Sequence, residues 1–223
     1  MAERRKEQGV ILSQEKIASD IYSMWIRAKA IAETSVPGQF VSLYTKDRSK
    51  LLPRPISLCE TDREEGKIRI VYRVTGEDTG TAQFSKMEAG DQIPILGPLG
   101  NGFPIDDAKG KKVLLIGGGI GVPPMLELAK QLRSQHQIES RLVMGYREEP
   151  FLTEEFRKNG KLYIATEDGS VGTKGNVLDA ISENKPEAEL IYACGPTPML
   201  RAVKTYAEEK DRKSTRLNSS HRL

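Results

Sequence analysis

Cysteine, histidine and tryptophan are scarce in this chain: its 223 residues contain two, two and one of them. Cys59 and Cys194 are too few for a disulfide framework and fit a reducing compartment. His136 falls in the polar stretch LRSQHQIES, where solvation is the expected state, and His221 lies in the tail, so no histidine pair is offered to a metal or a catalytic triad. Long apolar runs are missing too. None approaches the ~20 residues of a membrane-spanning helix. The basic start MAERRKEQGVIL is not followed by the roughly 7–15-residue apolar stretch of a secretion signal. The expected location is the cytoplasm, without membrane contact. Charge of one sign is also absent from the body of the chain. The formal net charge is +3, and the segment from Asp211 onward accounts for it, with Arg212, Lys213, Arg216 and Arg222 against one acid. A nucleic-acid partner needs a basic face on the folded body, so none is expected.

What the chain does contain changes character partway along. Over residues 10–97, GVILSQEKIA, IYSMWIRA, QFVSLYT, PISLCE, KIRIVYRV and DQIPIL are rich in β-branched and aromatic residues, with Gly, Pro and Asp between them. Six such strands predict a small antiparallel barrel, with one short helix near 82–87. Met24 and Trp25, on the second strand, read as core or interface. From VLLIGGG onward, apolar strands (RLVMGY, KLYIATED, LIYACG) alternate with helical stretches near 123–134, 150–158, 176–184 and 198–210. That alternation predicts a parallel sheet with helices on both faces. The expected fold is β barrel plus α/β, divided as 1–100, 101–210 and a tail, 211–223.

The strongest local signal is VLLIGGGIGVPPMLELAKQLR. A buried strand ends in Gly117, Gly118, Gly119 and Gly121, and a helix opens at Pro123 or Pro124. Glycine lets backbone approach a ligand closely, and the helix start offers unpaired N–H groups to a diphosphate. Proline in the first turn forfeits no hydrogen bond. Pro124 stands where a third glycine of the dinucleotide fingerprint would be, and a tight turn needing small residues only for packing is the alternative reading. Three other strand ends, Gly145-Tyr146-Arg147, Glu167-Asp168-Gly169 and Cys194-Gly195-Pro196, favour a nucleotide at the carboxyl edge of the sheet. Near the second of these strands Arg147, Glu148 and Glu149 occur together; an acid there suits NAD and an arginine suits NADP. The reading leans to NAD.

In the barrel half, Arg54-Pro55-Ile56-Ser57 joins a guanidinium suited to phosphate with a hydroxyl that can reach a ring nitrogen. Val71-Tyr72-Arg73 follows on a strand, and Gly80-Thr81 precedes the short helix. R-P-x-S, Y-R, G-T, G-G-G-x-G-x-x-P and C-G-P, in this order, resemble the ferredoxin–NADP reductase superfamily. Within it, PGQFVSLY, LLPRPISL, GGGIGVPPML, EDGSVGTKGNV and YACGPTPMLRAV are similar to the electron-transfer subunit of type 1B dihydroorotate dehydrogenases, over about residues 8–210.

That resemblance implies an antiparallel Greek-key FAD-binding barrel followed by a parallel-sheet NAD-binding domain, together a flavoprotein oxidoreductase subunit. Arg54, Pro55, Ile56 and Ser57 would hold the flavin, with Arg54 on the pyrophosphate and Ser57 near the reactive nitrogen. Val71, Tyr72 and Arg73 would follow the ribityl and phosphate chain, and Gly80 and Thr81 would cap the pyrophosphate. Gly117, Gly118, Gly119, Gly121, Cys194, Gly195 and Pro196 would frame the nicotinamide nucleotide, with Ser57 and Cys194 nearest the chemistry. The segment from Arg73 to Gly80 is about two residues longer than the resemblance leads one to expect. The implied partner is an FMN-containing catalytic barrel, two copies of each subunit forming a heterotetramer in pyrimidine biosynthesis. The resemblance further implies a 2Fe-2S cluster on four cysteines after the C-G-P helix, where this chain has none. DRKSTRLNSSH back-translates, within permitted codons, to a common sequencing-library adapter read in frame, so 211–223 is expected to be a non-native or disordered tail. A relative serving ferredoxin or sulfide, and a nucleotide-binding module without turnover, are the alternatives.

Overall fold

The computed structural model describes residues 5–45, 52–209 and 215–218. It comprises two compact units, Met1–Gly102 and Phe103–Leu223, against an expected boundary two residues earlier. The division falls there because Gly102 still packs on Val36, whereas the Phe103 ring meets Tyr192 edge-on at 5.4 Å.

The first unit is a closed barrel of six strands: β1 (Arg5–Ala18), β2 (Ile21–Arg27), β3 (Phe40–Leu43), β4 (Arg54–Asp62), β5 (Lys67–Arg73) and β6 (Gln92–Leu99). Around the barrel they run β1-β2-β5-β4-β3-β6, every neighbouring pair antiparallel, and closure leaves no open edge. Period-two alternation sends Met24, Ile26, Ile56, Leu58, Ile68, Ile70 and Tyr72 into the core. Their sequence neighbours face outward, where Arg69 donates to Glu60 at 2.7 Å and to Ser23 at 2.8 Å. Met24 is thus a core residue, while Trp25 lies outside beneath Lys67 and Arg69, 5.1 and 5.9 Å from its ring.

Two short helices serve this barrel. α1 (Lys29–Thr34) has no counterpart in the sequence reading, since six residues are too few to display a helical period. It is held by tertiary contacts: Ile31 and Ala32 enter the core, and the Glu7 carboxylate accepts from the Ile31 N–H at 3.0 Å. α2 (Gly80–Phe84) starts two residues before the predicted helix, because the Thr79 hydroxyl caps it by accepting from the Ala82 N–H.

The second unit is a parallel sheet ordered β10-β9-β8-β7-β11-β12. Its strands are β7 (Val113–Gly118), β8 (Ser140–Tyr146), β9 (Gly160–Thr166), β10 (Thr173–Lys174), β11 (Leu190–Cys194) and β12 (Thr215–Asn218). α3 (Pro123–His136), α4 (Thr153–Arg157), α5 (Val177–Asn184) and α6 (Thr197–Glu209) connect them. β7 and β11 are buried throughout, as strands covered on both faces must be. His136, expected in solvent, is mostly covered, 3.6 Å from Asp106.

β12 lies within 211–223, the segment expected to be a non-native or disordered tail. Thr215–Asn218 pairs in parallel with Ile191–Cys194, and Arg216 donates to Asp107 at 2.6 Å. The outer side of β11 presents a row of backbone donors and acceptors that any extended segment can satisfy. Edge pairing therefore follows from the backbone rather than from the side chains. His221 and the other tail cations, Arg212, Lys213 and Arg222, lie outside the described residues.

Candidate functional site

In the barrel unit the geometry centres on Arg54, the first residue of β4. Its side chain crosses from the strand to the start of α2, 26 positions on. A Cβ added to Gly80 would lie 2.8 Å from Arg54 Nε and 3.1 Å from its Cγ, so only glycine admits the guanidinium stem here. Thr45 closes the same spot, 3.3 Å from that position. The Thr79 and Thr81 hydroxyls stand 3.1 Å apart beside it, and Thr79 Oγ1 also donates to the Gly76 carbonyl at 2.9 Å. The Thr79 proton is committed to Gly76, so one planar cation, the Thr81 hydroxyl and a backbone clear of side chain form a cradle that suits a diphosphate in kind.

The other barrel residues divide by the pleat. Ser57 and Pro55 lie on the outer face of β4, and Ile56 turns inward. On β5, Val71 and Arg73 are likewise outward, Val71 buried and Arg73 exposed. Tyr72 faces the core, so Val71, Tyr72 and Arg73 do not line one surface. Its hydroxyl donates to Gln14 Oε1 at 2.7 Å. Burial pushes the Tyr72 phenol above its ordinary range, and it remains a donor.

In the second unit the glycine strand and the C-G-P strand end side by side, with Gly117 paired to Cys194. β8 flanks β7 on one side and β11 on the other, so the chain reverses direction across the sheet between β7 and β11, where ligands of such folds collect. The four glycines do different work. A Cβ at Gly121 would run into the Cys194 carbonyl oxygen; at Gly117 it would stand 2.6 Å from Met144 Sδ; at Gly118, almost upon Met199 Sδ. Backbone contacts demand glycine at Gly121 and at Gly117, where Val122 Cα would lie 2.9 Å away, whereas at Gly118 the flexible end of Met199 can give way. Gly119 alone has open space around it, and its φ of +55° belongs to the left-handed region. The packing reading therefore accounts for Gly117 and Gly121 and not for Gly119. α3 follows with two prolines, which carry no N–H, in its first turn and no side-chain cap; the Val122 and Met125 N–H groups donate to the Gly119 and Val122 carbonyls at 3.1 and 3.0 Å, so this end offers an anion its dipole and not free donors.

Cys194 is fully buried, Gly195 is buried against Met199, and Pro196 is exposed. Met199, which no motif marks, lies across both Gly118 and Gly195. At the neighbouring strand ends Arg147 lies 4.0 Å from Glu167, and the Ser170 N–H and hydroxyl hold the Asp168 carboxyl below its usual range. The stretch EDGSVGTKGNV is a built turn. Thr166 Oγ1 donates to the Val171 carbonyl, and Asn176 with Asp179 forms a capping box on α5.

A 2Fe-2S cluster needs four thiolates. The chain's two cysteines lie one in each unit, both buried, and among the described residues no three His, Cys, Asp or Glu side chains gather as metal ligands. These residues do not fit the cluster.

Comparison with known proteins bears on both units. The family model for oxidoreductase FAD-binding domains matches residues 8–103, and that for oxidoreductase NAD-binding domains matches 115–205. A dihydroorotate dehydrogenase B (NAD(+)) electron transfer subunit from Geobacillus sp. (strain WCH70) is 43% identical over 211 residues, 93% of this chain and 81% of the relative. The protein of that name from Fusobacterium nucleatum is 43% identical over 196 residues, 84% of this chain and 74% of its own. Among solved structures, an NADH-dependent reduced ferredoxin-NADP oxidoreductase aligns with a TM-score of 0.80 at 29% identity, over 90% of this chain and 72% of that one. The ferredoxin NADP+ reductase of Neisseria gonorrhoeae, with bound FAD and NADP, aligns at 0.76 and 15% identity, over 97% and 99% of the two chains, a likeness of fold.

Proposed function

The chain belongs to the family of dihydroorotate dehydrogenase B (NAD(+)) electron transfer subunits, and on that premise we propose that it carries electrons from a dihydroorotate-oxidising catalytic subunit to NAD+. FAD held in the barrel unit would supply the two-electron and hydride-transfer chemistry. The chain's own residues bind and orient. Arg54 pairs with the flavin diphosphate over Gly80, and the Thr81 hydroxyl adds a donor. Ser57, on the outer face of β4, gives its hydroxyl to the flavin ring, and Val71 and Arg73 border the same face. Tyr72 supports that surface from inside the barrel. In the second unit Gly119 and the start of α3 receive the nucleotide diphosphate, beside Cys194, Gly195 and Pro196. NAD rather than NADP, a cytoplasmic location and a heterotetramer of two subunits of each kind complete the reading. No helix among the described residues is long and apolar enough to cross a membrane.

The Arg54–Gly80 contact carries the flavin assignment, because it joins two motifs distant in sequence into one anion cradle. The purified chain should bind FAD, be reduced by NADH, and form NADH from dihydroorotate only when the catalytic subunit is added. An Arg54→Ala variant should lose roughly 10- to 100-fold in FAD affinity, the loss expected for charge-assisted hydrogen bonds. Full affinity in that variant would overturn the flavin assignment.

A further inference from the structure

α2 is five residues long, too short to persist by its own hydrogen bonds. The position of Gly80 and Thr81 opposite Arg54 must therefore come from whatever holds the helix. Thr79 caps its start, and Phe84 anchors it in the barrel core, meeting the Tyr72 ring edge-on at 6.2 Å. Its far end is held by one side chain from β1. Gln14 Nε2 donates to the Phe84 carbonyl at 3.1 Å and to the Met87 carbonyl at 2.8 Å, while Gln14 Oε1 accepts from the Tyr72 hydroxyl at 2.7 Å. A carboxamide has two N–H donors and one carbonyl acceptor, and all are engaged. The Tyr72 ring is itself fixed by stacking on Tyr22 at 5.9 Å.

We propose that Gln14, oriented by Tyr72, is a positioning residue for flavin dinucleotide binding: it fixes α2 so that Gly80 and Thr81 meet the diphosphate held by Arg54. This rests on the flavin reading above and adds a residue that no motif marks. The amide is matched to its task. A carboxylate at position 14 would face two carbonyl oxygens, and an apolar side chain would withdraw the amide donor from both carbonyls, leaving the Phe84 oxygen to the Met87 N–H at 3.0 Å, and the acceptor from the Tyr72 hydroxyl. Because Gln14 works through α2, its effect belongs to the diphosphate and not to the flavin ring.

That distinction supplies the test. FAD affinity is measured by fluorescence titration, and riboflavin affinity, which involves the ring without a diphosphate, by competition, for the wild type, Gln14→Met and Tyr72→Phe. Gln14→Met should weaken FAD about tenfold, the equivalent of about one net hydrogen bond, and leave riboflavin within about twofold. Tyr72→Phe keeps the ring in place and removes only the hydroxyl. It should weaken FAD about threefold, and the two changes together should fall short of the product of their separate effects. Equal losses for FAD and riboflavin would mean that Gln14 merely supports the barrel, and unchanged FAD affinity would mean that α2 does not depend on it; either overturns the proposal. Should Gln14→Met fail to fold, Tyr72→Phe decides between the same outcomes. A wild-type chain that binds no FAD overturns the flavin reading itself, a result distinct from both.

Discussion

Glycine shows how much a single residue's role depends on what lies 3 Å away. At Gly80 an added Cβ meets the flexible stem of Arg54, which can move aside. Gly80→Ala should therefore fold and displace the guanidinium from the cradle. The expected outcome is about tenfold weaker FAD binding, the loss of roughly one good hydrogen bond, with a thermal midpoint close to that of the wild type. A large drop in midpoint without a change in affinity would contradict the arrangement. The sequence marks Gly80 and Arg54 as candidates. It does not state that they touch, because their contact depends on how strand β4 and helix α2 close the barrel mouth.

At the scale of elements, the loop between β7 and α3 was legible as strand, turn and helix, but the division of labour among its glycines was not. Gly121 presses against the backbone of Cys194, which has no flexible end to give way. Gly119 has space around it and a left-handed backbone. Alanine at Gly121 should cost about 2 kcal/mol or more, by forcing apart α3 and β11. Alanine at Gly119 should cost about 1 kcal/mol, the penalty of a left-handed residue. Denaturant unfolding of both variants checks the order, and a costlier Gly119→Ala would refute it. Other elements escaped the sequence for physical reasons. α1 is too short for a period and depends on Glu7, 24 residues away from Ile31. β12 is a strand because the flank of β11 was open, which no propensity in TRLN announces. Conversely, EDGSVGTKGNV, which supported the family resemblance, proves to be a turn and a helix cap, so that it reports the fold more than the ligand.

For the molecule as a whole, three buried tyrosines link stability to alkaline pH. Tyr72 donates to Gln14, Tyr146 to the Phe151 carbonyl at 2.8 Å, and Tyr192 to the Pro104 carbonyl at 2.7 Å. Burial raises all three phenols, Tyr192 to about 12 and the other two further. Asp107 beside Tyr192 adds to the rise and Arg216 opposes it. An unfolded tyrosine ionises near pH ~10. Below that value both states keep the proton and the full contribution is present. Above it the unfolded chain releases protons that the folded chain retains, so stability falls as pH rises. The slope reaches about 1.4 kcal/mol per pH unit for each tyrosine until its folded form ionises. The first unit holds one of these groups and the second holds two, so neither unit escapes. Urea unfolding from pH 8 to 12 should show no loss from these groups at first, then a steep decline beyond about pH 10, and Tyr146→Phe should make that decline shallower. An unchanged slope in Tyr146→Phe would mean that its phenol ionises as readily in the folded chain as in the unfolded one, and that burial at this position does not hold the proton.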